Sequence, residues 1–221
     1  MPVRLRPTAA VAADAILVGD PGRALMLAQE LLEQPKMCNH ARGLWGYSGR
    51  TPGGSELTVQ ATGMGGPSAA LVLADLAELG VGRAIRVGTC TALDPQLRGG
   101  ELLAIAEAHS WAGPGGLAGE AVLPDPGLTE QLRHELGAEG RMATVASLDT
   151  LHGGGAAAPV QAGDATDMQT ATLLARGAAL AVAVAAILIV AETAAGERLG
   201  DDAAELAAKR AGSAAAAVLS A

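Results

Sequence analysis

The chain contains no phenylalanine, one tyrosine (Tyr47) and two tryptophans (Trp45, Trp111) among its 221 residues. Half of the residues are nonetheless apolar, so the core has to be built from Ala, Val, Leu and Ile. The shortage of aromatics counts against single-stranded nucleic-acid binding, which relies on stacking platforms. Positive charge is scarce as well. A formal charge of −8 and a pI near 4.9 disfavour a polyanionic partner and confine any anion site to a local pocket of arginines. Two cysteines, Cys38 and Cys90, make neither a disulfide framework nor a zinc set, and they suit a reducing cytoplasm. No secretory leader is expected, because no apolar stretch directly follows the arginines of Met1–Pro7. The longest apolar run, Gly177–Ala191, falls short of the ~20 residues a membrane span needs. It reads as a helix end, a turn and a buried strand, and the chain is expected to be soluble.

Its length suits one domain with a full core. Ala15–Val18 reads as a strand that breaks at Gly19-Asp20-Pro21-Gly22-Arg23, followed by a helix over Ala24–Leu32. A strand, a glycine turn and a helix start gather free backbone N–H groups and one arginine in one place. Lys36–Gly54 reads as turn-rich, with a strand around Trp45 and Tyr47; taken alone, its Arg42 and Arg50 are ordinary surface charges. Leu57–Ala61 is a strand leading into Thr62–Ser68 (TGMGGPS), and Leu71, Val72, Leu76 and Leu79 give Ser68–Leu79 a helical spacing that Gly80 ends. Ile85–Gly88 is the next strand, completing a βαβ unit and with it a partly parallel sheet.

That strand carries one arginine. Arg86 is costly among apolar neighbours unless an anion meets its donors, and the sequence places a small-residue turn, Thr89-Cys90, directly after it. Strands over Glu101–Ala106, Met142–Ala146 and Ala181–Val190 follow, with helices over Leu128–Leu136, Asp167–Arg176 and Asp202–Leu219. Trp111–Gly127 reads as a loop, and the glycine-rich Leu151–Gly163 as the one flexible stretch. The expected fold class is α/β: one domain spanning residues 1–221, with a central mixed β-sheet flanked by helices.

The ordered motifs GDPGR, TGMGGPS, RVGTC, SLDT and DMQTATLL make the chain resemble the nucleoside phosphorylase family, which includes hexameric purine nucleoside phosphorylase and bacterial uridine phosphorylase. The resemblance implies reversible phosphorolysis. Phosphate displaces a base from the anomeric carbon of a nucleoside, giving ribose 1-phosphate, with inorganic phosphate as co-substrate and no metal or organic cofactor. It also implies that Gly19, Arg23, Arg86 and Thr89 hold phosphate and that Arg42 reaches the site of a neighbouring subunit. The assembly it implies is a homohexamer built from dimers, acting on a small-molecule nucleoside without nucleic acid or membrane.

The sugar and base halves depart from the family pattern. Its Met-Glu pair under the ribose reads Met168-Gln169 here, and Arg4 is the nearest match to a histidine donated across the dimer. At the base, Cys90 is a small buried contact, Thr91 replaces a glycine, and Leu151, followed by His152, stands where an aromatic is usual. Glu192 occupies the place of the aspartate that protonates a purine, with Arg198 resembling the arginine that assists it. The glutamine and arginine that read uracil are missing, so purine is favoured over uridine. Three alternatives stay open: a uridine phosphorylase, a catalytically weak relative that binds phosphate or nucleoside, and a hydrolase.

Overall fold

The computed structural model describes residues 2, 4–111, 118–148 and 163–221. Among them a ten-stranded mixed sheet runs in the order β10-β6-β8-β9-β5-β1-β4-β3-β2, with β7 paired to β6. In chain order the strands are β1 (Asp14–Val18), β2 (Glu33–Asn39), β3 (Gly46–Arg50), β4 (Glu56–Ala61), β5 (Arg83–Ala92), β6 (Leu102–Trp111), β7 (Ala118–Val122), β8 (Gly140–Leu148), β9 (Ala165–Asp167) and β10 (Ala183–Glu192). The helices are α1 (Pro21–Leu31), α2 (Gly65–Glu78), α3 (Pro126–Leu136), α4 (Thr170–Leu180) and α5 (Asp201–Leu219). This is the single α/β architecture expected from the sequence.

The sheet is buried on both faces, and side chains alternate between them as strand geometry requires. From β1, Ile16 and Val18 join the cluster under α1, α3 and α5, while Ala15 and Leu17 join the one under α2 and α4. From β5, Ile85 and Val87 face the first cluster and Ala84 the second. The same alternation turns Arg86 toward α4. With no phenylalanine to fill space, α5 packs into this cluster through Ala207, Ala208, Ala211 and Ala215, and at Gly212 it comes close against Leu27 of α1.

Several elements outgrow their sequence signatures. β5 does not break after Gly88. It continues through Thr89, Cys90 and Thr91 to Ala92, because β10 lies parallel along almost its whole length and β9 pairs with its end. Lys36–Asn39, expected as turn, is strand in β2, which pairs antiparallel with β3. The expected loop after Trp111 contains β7, stitched to β6. Asp167 ends β9 and does not open a helix; α4 starts three residues later. Glu192 is the last residue of β10. Leu151 to residue 162 of the expected flexible stretch lies outside the described residues.

One consequence of the pairing was invisible along the chain. The contacts β5–β10, β10–β6, β6–β8, β8–β9 and β9–β5 return to their starting strand, so this part of the sheet closes on itself. The short β9 makes the closure and then feeds directly into α4. The residues at that junction are thereby held beside β5.

α4 is seated by a close contact at Gly177. A Cβ there would lie 2.4 Å from Val184 Cγ2 and 2.9 Å from the Val182 carbonyl oxygen. Alanine in mid-helix gains about 1 kcal/mol over glycine, but overpacking against backbone costs about 1–3 kcal/mol. Gly177→Ala is therefore expected to destabilise the protein by about 1–2 kcal/mol in urea titration, where propensity alone would predict a gain.

Candidate active site

A cleft of about 640 Å³ opens at the carboxyl ends of β1, β5 and β10. Among the residues that line it are Gly19, Arg23, Arg86, Thr89, Cys90, Thr91, Met168, Gln169, Glu192 and Arg198, ten positions singled out from the sequence and drawn from five separate segments. Gly63, Met64 and Gly65 form another part of its wall.

Arg23 enters from the first turn of α1. Asp20 caps that helix by accepting from the Arg23 backbone N–H at 2.7 Å, and Pro21 starts it at a position where no N–H is needed. Among the described residues the Arg23 guanidinium has no hydrogen bond or ion pair. Burial pulls its pKa below the ordinary value; Asp20 opposes that shift and the Arg86 charge adds to it. Two cations with like-charge repulsion between them make a place where an arriving anion is stabilised.

Arg86 is 5% exposed and lies in the middle of a polar network. Its Nε donates to Thr170 Oγ1 at 3.1 Å, one terminal nitrogen to Gln169 Oε1 at 2.6 Å, and the other to Asp167 Oδ2 at 3.0 Å. The anion that the buried guanidinium requires is therefore, in the first instance, the chain's own Asp167. Three of five N–H donors are used in this way, which leaves two. Asp167 in turn accepts from Ser147 Oγ, the Thr170 hydroxyl (2.6 Å) and the backbone N–H groups of Gln169 and Thr170. Space for the fork comes from Gly88, where a Cβ would sit 2.5 Å from an Arg86 terminal nitrogen. Any side chain at position 88 would push the guanidinium out of this network.

Elsewhere in the cleft, Glu192 and Arg198 pair across a β-bridge, with Arg198 Nε donating to Glu192 Oε2 at 3.1 Å. Sequence spacing alone left this match loose; the hairpin that closes β10 brings the two together. The surroundings of Cys90 favour the thiol over the thiolate. Burial and the Asp167 charge, partly offset by Arg86, push its thiol up to about 12, and its sulfur contacts the Ile189 carbonyl at 3.5 Å.

Two expected positions lie away from this cleft. Arg42 is exposed in a short 3₁₀ turn, with its backbone in the left-handed region at φ 60°. Arg4 is held over α2, its backbone N–H donating to Asp75 Oδ2 at 2.6 Å. Leu151 lies outside the described residues. Sequence reasoning missed Asp167, Thr170 and Ser147. The available signals were an Asp-x-x-Thr cap spacing and the need of a buried arginine for a carboxylate.

Fold and cleft together define an α/β protein with a cleft at the strand ends large enough for a small molecule. A family model described as the phosphorylase superfamily matches residues 14–221, and the chain belongs to that superfamily. A DeoD-type purine nucleoside phosphorylase of Oceanobacillus iheyensis is 47% identical over 83 residues, covering 37% of this chain and 35% of that protein. One from Caldanaerobacter subterraneus is 40% identical over 89 residues, covering 40% and 38%. The matched stretch thus spans less than two-fifths of either relative. Among solved structures, a uridine phosphorylase of Phytophthora capsici superposes with a TM-score of 0.86 at 18% identity, over 99% of this chain and 93% of that one. The purine nucleoside phosphorylase of Toxoplasma gondii, solved with immucillin-H, gives 0.84 at 23% identity, over 100% and 98%. Both likenesses are of fold.

The Arg86–Asp167 pair makes a direct prediction. Asp167→Ala strands a buried cation and should cost about 3–5 kcal/mol of stability in chemical denaturation. Adding Arg86→Met should recover a large part of that loss, so the double-mutant cycle reports strong coupling.

Proposed function

We propose that the chain catalyses phosphorolysis of a nucleoside, with purine nucleosides the favoured substrates, to free base and pentose 1-phosphate. The observation that carries this reading is the meeting of Arg23, which has no partner among the described residues, with the two spare donors of Arg86 in one cleft that also holds the Glu192–Arg198 pair. The first two groups suit a dianion and the last two a leaving base.

In this reading inorganic phosphate sits between Arg23 and Arg86, with Gly19 and the Thr89 hydroxyl completing its contacts. No organic cofactor or metal takes part. A phosphate oxygen forms the new bond to the anomeric carbon as the bond from that carbon to the base nitrogen breaks, and the electron pair leaves with the base. Glu192, a carboxylate held by Arg198, takes up the proton that phosphate gives up and passes it to the base ring, so the resting ion pair is restored after turnover. Paired charge-assisted contacts orient the nucleophile, and positioning supplies much of such a reaction's rate. Met168 and Gln169 lie on the sugar side, Gln169 with its amide turned away from the sugar to Arg86 and Gly63, and Cys90 and Thr91 lie on the base side.

Arg42 and Arg4, both away from their own cleft, are assigned to the site of a second copy. The minimum active unit is then a two-fold dimer, with three dimers forming a hexamer. Among the described residues no helix is long and apolar enough to cross a membrane. Both cysteines are free and buried, which fits a reducing compartment, and we assign the protein to the cytoplasm.

The test is phosphate-dependent release of hypoxanthine, guanine or adenine from nucleosides, followed by chromatography. Cleavage of uridine alone would overturn the choice of base, and release without phosphate would overturn phosphorolysis. Arg23→Ala is the sounder probe of the anion site, because removing Arg86 strands Asp167. It should raise the phosphate KM about 10- to 100-fold, the loss of a charge-assisted contact. Glu192→Gln should lower kcat by about 100-fold or more while leaving the phosphate KM nearly unchanged.

A further inference from the structure

Gln169 is 3% exposed, and every polar atom of its amide is engaged. Nε2 donates to the Gly63 carbonyl at 2.6 Å and to the Gly65 carbonyl at 3.2 Å. Oε1 accepts from Arg86 at 2.6 Å and from the Thr62 hydroxyl at 3.1 Å. The two ends of the amide are not interchangeable. Carbonyl oxygens require a donor on one side, and a guanidinium requires an acceptor on the other. A carboxylate of the same shape offers acceptors only. It would face the Gly63 oxygen across a 2.6 Å contact and place a second negative charge on Arg86 beside Asp167.

The turn that Gln169 holds has positive φ at both glycines, 73° at Gly63 and 79° at Gly65, and both line the cleft. One amide therefore ties a wall of the cleft to the cation that faces the anion. The charges lining the cleft also balance: Asp20, Asp167 and Glu192 against Arg23, Arg86 and Arg198. A carboxylate at position 169 would make that balance negative in a site meant for a dianion.

We infer that Gln169 is a positioning residue whose neutral amide, and not a carboxylate, is what the phosphate site of this chain requires. The inference rests on the phosphorolysis reading. It means that glutamine here is matched to its surroundings, and that a glutamate would impair the site.

The experiment compares wild type, Gln169→Glu and Gln169→Ala. Phosphate KM, nucleoside KM and kcat are measured from pH 6 to 8.5, and Tm is measured over the same range without ligands. At pH 8, Gln169→Glu should raise the phosphate KM by about tenfold, the loss of one charge-assisted contact, and shift the nucleoside KM far less. Its KM ratio to wild type should shrink toward pH 6, because a protonated Glu again donates to the Gly63 carbonyl. Its Tm should follow the same sign. The Gly63 and Gly65 carbonyls and the Asp167 charge outweigh Arg86 and raise the folded pKa of such a carboxyl above the unfolded one, so the Tm deficit widens as pH rises. Gln169→Ala should raise the phosphate KM by a factor that does not change with pH.

Wild-type phosphate KM together with equal or higher turnover in Gln169→Glu at pH 8 would overturn the inference and leave the phosphorolysis reading intact. If the wild type releases base without phosphate, that reading falls, and the assigned requirement for the phosphate site falls with it. A pH-independent Tm gap for Gln169→Glu would also overturn the tether.

Discussion

A guanidinium inside an apolar sheet is the constraint on which this structure turns. Arg86 cannot be left unpaired, because a buried charge without compensation costs several kcal/mol. Asp167, Gln169 and Thr170 are placed to meet it. Those three residues sit where β9 runs into α4, so the requirement of one side chain dictates the location of a whole junction. The carboxylate is itself held by Ser147 and two backbone N–H groups. A network satisfied to this degree is rigid, and a rigid network presents its remaining donors in a fixed direction.

Closure of the sheet is what makes the junction possible. The three residues of β9 bond to β5 on one side and β8 on the other. Without that stitch α4 would have no reason to begin beside β5. Close approach does the rest: the missing side chain at Gly88 admits the guanidinium, and the one missing at Gly177 lets α4 settle onto β10. Alanine-rich α5 completes the opposite face, which is how a chain without phenylalanine still packs densely.

The cleft joins two kinds of electrostatics. At Arg23 a cation is held in a partly buried position with no partner among the described residues, its charged form disfavoured by burial and by Arg86. At Glu192 and Arg198 opposite charges already neutralise one another across a β-bridge. An incoming anion relieves the first situation and leaves the second free to act on another part of the ligand. The balanced charge of the whole cleft, kept by a neutral Gln169, lets both coexist.

Much of this was legible along the chain, because local signals are strong where the backbone itself makes the feature. The glycine turn after Ala15–Val18 announces the helix that follows it, although α1 opens at Pro21 and not at Ala24, the glycines of residues 62–68 announce a turn, and the unbroken apolar run of Ala15–Val18 announces a buried strand. The family resemblance, resting on five ordered motifs, brought ten lining residues of one cleft into view. What the sequence could not contain is pairing across distance. Nothing local says that β5 runs on past Gly88, since the strand β10 that extends it lies about ninety residues later. Nor does spacing say that Asp167 answers Arg86 or that the Gln169 amide spans from that arginine to Gly63. By itself the sequence determined the helices and most of the longer strands, the fold class and the types of side chain available for an anion. Tertiary structure alone decided which of them touch, because hydrogen bonds and ion pairs depend on separations in space that only the closed sheet sets.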